Sequence, residues 1–144
     1  MHWLTQRLDS LERLAADYQE LRGLALEREV DAASAEAGRR NFFDALSRTA
    51  SEIHERPGVN ACFVAHEGLL CQQAGDGASF EALAAFAQAC GETARNPVAR
   101  PLLGGLKQMV VVGDSGKLAL FYLGPMAVGI HCGVGVNLAR ILSA

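Results

Sequence analysis

No uninterrupted apolar stretch in the chain approaches the ~20 residues that cross a bilayer, and Met1–Asp9 lacks the apolar core of a signal peptide. Membrane insertion is therefore not expected, and a cytoplasmic location is. An excess of basic charge is missing too: 13 Lys and Arg stand against 16 Asp and Glu, a formal net charge of -3, which disfavours a nucleic-acid-binding surface. Cysteine is sparse. The 4 thiols, Cys62, Cys71, Cys90 and Cys132, lie singly in apolar runs, as buried thiols do in a reducing compartment and unlike a disulfide framework. Disorder is excluded by a composition that is 50% hydrophobic and 20% charged, and 144 residues suffice for one core but not for two.

What is present divides unevenly. Residues 1–58 hold 8 Arg and 11 Asp or Glu, whereas residues 59–144 hold 5 charges of each sign, so a surface-rich helical region precedes the core. Leu4, Leu8, Leu11, Leu14, Tyr18, Leu21 and Leu24 recur at helical spacing, with Arg7, Asp9, Glu12 and Arg13 on the solvated flank. This seam predicts a helix of roughly 30 residues, reaching Ala33-Ser34-Ala35, that is marginal alone and needs a partner surface. It either packs back on its own domain or pairs with another subunit or protein as a coiled coil. Residues 1–40 are accordingly read as an N-terminal helical extension and residues 41–144 as the domain.

After a weak point at Gly38, a second helix is expected from Asn41, its cap, to Arg56, with Phe42, Leu46, Thr49 or Ala50, and Ile53 on one face. Pro57-Gly58 stops it. Val59–Ala65 and Leu69–Ala74 read as a hairpin about Glu67-Gly68. Asp76-Gly77 and Ser79 introduce a third helix over Phe80–Arg95, with Phe80, Leu83, Phe86, Cys90 and Ala94 along one side, and Asn96-Pro97 ends it. A loop through Pro101 and Gly104-Gly105 follows. Leu106–Val112, Lys117–Leu123 and Met126–Cys132, joined by turn-forming links, then predict an antiparallel meander, and a short helix with Leu138, Ile141 and Leu142 closes the chain.

Catalytic and ligand-binding signatures fail on spacing. Gly113–Lys117 has Val111 where a phosphate-binding loop needs its first glycine and Leu118 where it needs a hydroxyl. Gly133-Val134-Gly135 places Leu138 at the last glycine of a dinucleotide fingerprint, with no βαβ unit around it. Cys62 and His66 share a strand face, but His131 and Cys132 point to opposite faces and no paired cysteines support a metal site. Glu67, Asp76 and Asp114 are assigned to turns and caps, and Arg39-Arg40 to a solvated helix junction. No catalytic residue, cofactor or metal is expected, and the chain is read as a non-enzyme.

The segments Pro57–Leu70 and Leu106–Leu120 resemble the roadblock family, named for dynein light chains and also present in bacterial regulators of small Ras-like GTPases. The first looks like the family's opening hairpin and the second like its third and fourth strands, within a resemblance that covers Asn41 to Ala144. Ala65 departs from it, standing where members often carry an acidic residue. The resemblance implies an α+β fold, a five-stranded antiparallel sheet with helices on both faces in the order α-β-β-α-β-β-β-α, here preceded by the long N-terminal helix. It further implies a homodimer in which edge strands join the two sheets. Independently, Met109, Val110 and Val111 with Val112 form an edge that would be sticky if left uncovered. Ala82, Ala85 and Ala89 make a small-residue side of the third helix on which another backbone could approach, unless they pack on their own sheet.

The function expected on this basis is a noncatalytic homodimeric scaffold that docks a partner, a Ras-like small GTPase, on its two-fold surface. The resemblance further implies that activators of this kind order the GTPase's own catalytic residues, so no conspicuous arginine is required. The N-terminal seam would tune access, recruit a second protein or assemble dimers into tetramers. The alternative is a small-molecule-sensing α/β module that signals through its N-terminal helix. A polar cluster facing a cavity beneath Cys71, His66 and His131 would favour it, and a densely filled core there would count against it.

Overall fold

The apolar periodicities of the first half become two helices laid against each other, α1 (His2–Leu26) and α2 (Ala32–His54). The computed structural model describes residues 2–26, 31–75, 79–98 and 100–143. After α2 come β1 (Val59–His66), β2 (Leu69–Gly75), α3 (Phe80–Ala94), a single turn α4 (Arg100–Leu103), β3 (Gln108–Val112), β4 (Lys117–Leu123), β5 (Met126–Cys132) and α5 (Leu138–Ser143). The strands form one sheet in the order β2-β1-β5-β4-β3, with every neighbouring pair antiparallel.

Strand alternation divides the sheet's side chains between two cores. On one face Cys62, Val64, Ala119, Phe121, Val128 and Ile130 meet α1, α2 and α5; on the other Ala61, Phe63, Ala65, Leu118 and Leu120 meet α3. The β1–β2 turn has Glu67 at φ 51° and Gly68 at φ 83°, the pair of positive values that a two-residue primed turn demands. The Glu67 N–H donates to the Pro125 carbonyl at 3.0 Å, fastening this turn to the β4–β5 turn.

Three expected boundaries are corrected. The second helix begins at Ala32, not Asn41: Asp31 is the cap, its Oδ1 accepting from the Ser34 N–H at 2.7 Å, so a division at residue 40 cuts a continuous helix. Gly38 lies inside that helix, and its bare Cα faces Leu21 of α1. The first helix is described as far as Leu26, and the Ala33-Ser34-Ala35 stretch expected at its end belongs instead to α2, beyond the extended backbone of Asp31. The loop through Pro101 contains the turn α4, held by Arg100 N–H to Asn96 O at 3.0 Å and Gly104 N–H to Arg100 O at 2.8 Å. The expected turn residues Asp76-Gly77 lie outside the described residues.

Of the two destinations open to the N-terminal seam, the structure shows the fold-back. Leu4, Leu8 and Leu11 are buried in the same core as Phe42, Leu46 and Ile53, and Leu14 and Tyr18 pack against it. Each fully buried leucine contributes roughly 2 kcal/mol. A coiled coil or tetramer built on that seam would first have to withdraw these leucines from the core.

Candidate functional site

The third helix is rotated relative to the expected arrangement. Its buried residues are Phe80, Ala84 and Ala87, while Phe86 is 43% exposed. Small residues face the sheet because the helix lies close to it: Gly91 has the Tyr122 ring against its Cα, and the Tyr122 hydroxyl donates to the Ala87 carbonyl at 2.8 Å. That rotation turns Ala82, Ala85 and Ala89 outward, all exposed, and places Phe86 among them. Phe86 was readable from spacing, since it stands one helical turn from both Ala82 and Ala89.

At the edge of the sheet, β3 pairs with β4 alone. Met109 and Val111 are half-buried on the α3 side, whereas Val110 and Val112, 46% and 65% exposed, point to the opposite face, where Val110 is paired with Ala119 of the α1–α2 core. The three alanines thus share one surface and Met109 and Val111 turn toward α3's side of the sheet; Val110 does not join them. The other edge, β2, has α2 and α3 packed against it from the two faces.

A cleft of about 400 Å³ opens on the α1–α2 side, between those helices and the β1–β2 and β4–β5 turns. His66 and Cys71 both line it, but its lining is predominantly apolar, and His131 is elsewhere, beside Gly116 on the other face of the sheet. This is neither a polar cluster nor a filled core. Burial pushes the Cys71 thiol up, against an opposing hydrogen bond with the His66 backbone, and burial pushes Cys62 up to about 12. Thiols shifted upward are protonated at neutral pH and make poor nucleophiles. Among the described residues no three of His, Cys, Asp and Glu gather as metal ligands, and no helix is long and apolar enough to cross a membrane.

No protein-family model matches the sequence, and no curated protein does. Solved structures do match. A roadblock/LC7 domain from Streptomyces avermitilis is similar with a TM-score of 0.58 at 22% identity, covering 67% of this chain and 85% of its own. MglB of Myxococcus xanthus is similar at 0.59 and 13% identity, over 69% of this chain and 77% of its own. The gliding protein MglB from Thermus thermophilus gives the same score and identity, over 69% of this chain and 78% of its own. The chain has the roadblock fold.

Proposed function

We propose, with the roadblock fold as premise, that the chain is a noncatalytic regulatory scaffold that forms a homodimer and docks a Ras-like small GTPase across its two-fold surface. The observation that carries this reading is the pair of surfaces left without cover among the described residues: the outward Ala82, Ala85, Phe86 and Ala89 of α3, and the edge strand β3. Two copies paired along β3 would satisfy each other's free N–H and C=O groups, a contact made by backbone and so indifferent to the direction of Val110. Two α3 helices would then approach through their alanines and bury Phe86. The paired helices form the platform for the partner. The partner's class comes from the family resemblance, which includes bacterial regulators of Ras-like GTPases and leaves the catalytic residues with the GTPase.

Sedimentation velocity on the purified chain should give the mass of a dimer, and Phe86→Glu should give a folded monomer. The immobilised chain should retain a small GTPase of its source organism in one nucleotide state, loaded with either GDP or a nonhydrolysable GTP analogue, and Phe86→Glu should lose it. A wild-type monomer at micromolar concentration, or equal retention of the GTPase by Phe86→Glu, would overturn the reading.

A further inference from the structure

The cleft on the α1–α2 side takes no part in the pairing surface, which uses α3 and the β3 edge. It is built from four separate places in the chain. Phe42 and Leu46 of α2 form one wall with Tyr18 of α1, and Leu123 and Met126 of the β4–β5 hairpin form the other. The aromatic wall is itself packed: the rings of Tyr18 and Phe42 lie 5.5 Å apart and those of Phe42 and Phe43 5.6 Å apart, in tilted contacts. A volume of about 400 Å³ lies in the range of small-ligand sites.

Charge lies at one end of the cleft. Arg22 of α1 and Arg39 of α2 both line it, and they sit at the same level because their neighbours Leu21 and Gly38 meet where the helices cross. Glu12, the acidic residue of the lining, precedes Arg22 by ten positions, ~15 Å along the helix axis. Among the described residues Arg22 makes no ion pair. Arg39 lies over the Phe43 ring at 5.1 Å and has an exposed contact with Glu36 at 3.7 Å, too long and too solvated to consume its charge. In a chain of net charge -3, an apolar cleft with two guanidinium groups at one end is complementary to a molecule with an apolar body and one acidic terminus.

We propose that this cleft binds a small amphipathic anion free in solution, such as a single acyl chain or ring system ending in a carboxylate, with its body against Phe42, Leu123 and Met126 and its acid at Arg22 and Arg39. Because α1 supplies part of the lining, occupancy adds contacts between α1 and the sheet and raises the folded state's stability.

Decanoate is the probe, with decanol as the uncharged control of equal chain length. Decanoate should bind in one saturable step, shift the Met126 methyl resonance and raise the melting temperature, and decanol should bind more weakly. The double substitution Arg22→Ala with Arg39→Ala removes exposed side chains outside the core, and it should weaken decanoate about tenfold, the scale of one lost charge-assisted hydrogen bond. Ala15→Phe, which intrudes on the lining, should abolish the Met126 shift. If that variant does not fold, the arginine pair still decides. No saturable shift at Met126, equal binding of decanol and decanoate, or unchanged affinity in the double variant would each overturn the proposal.

Discussion

Gly129 and Phe63 face each other across the β1–β5 ladder, and a Cβ on Gly129 would overlap the Phe63 ring. Phe63 is fully buried in the α3-side core, so the ring has nowhere to retreat. Gly129→Ala should therefore cost about 2 kcal/mol, the scale of an overpacked core, read as a lower urea midpoint with an unchanged slope. Asp31 offers a test through pH. The Ser34 backbone N–H holds its carboxyl below the ordinary value of 3.8. A carboxylate whose folded pKa is depressed stabilises above its unfolded value and loses that contribution as pH falls through the folded one. Asp31→Asn keeps an acceptor at the cap and does not titrate. The melting-temperature difference between wild type and Asp31→Asn should be constant from pH 7 to about 4 and move against the wild type at lower pH. A difference that stays flat down to about pH 2 would show that the cap bond does not set this titration.

Within single elements, the strands were the most legible. β4 and β5 span the expected residues, and the Glu67-Gly68 turn falls where its backbone needs positive φ, because hairpins are encoded by neighbours in sequence. The start of α2 was not legible in the same way. Gly38 reads as a helix break in isolation, but helix and glycine coexist because the missing side chain makes room for Leu21 of α1, a contact distant in sequence. The seam of α1 was legible as a helix, while its destination was not, since leucines at these spacings suit an intramolecular face and a coiled coil equally. Their burial makes a specific claim about stability: Leu11→Ala should cost about 3 kcal/mol. Leu8→Glu with Leu11→Glu should unfold the chain at ordinary temperature, because two carboxylates would be forced into an apolar core. Were the seam instead a contact with another chain, the same double variant would change the mass in light scattering and leave the circular dichroism melt in place.

For the molecule as a whole, the candidate surfaces differ in how much of them the sequence carried. The alanine face of α3 follows from local spacing, and Phe86 belongs to it by the same spacing; the rotation that exposes this face depends on Gly91 meeting Tyr122 across the sheet. Of the cleft, only His66 and Cys71 on the first hairpin were legible, with His131 misplaced beside them; the rest was not, because its walls come from α1, α2 and two hairpin turns that only the tertiary fold brings together. The proposed pairing through α3 and β3 would have a consequence for the thermodynamics of the entire chain. Association links folding to concentration, since a dimer that forms only from folded copies draws the equilibrium toward the native state by mass action. The melting temperature of the wild type should rise with protein concentration by an amount set by the dimer's affinity, whereas Phe86→Glu should melt at one temperature across the same series. Because Phe86 is 43% exposed in the single chain, a charge there costs the isolated fold little, and the two melting temperatures should converge at the lowest concentrations. A wild-type melting temperature independent of concentration while sedimentation shows a dimer would mean that the association is not confined to folded copies or is already lost below the melting transition, and this linkage would fail.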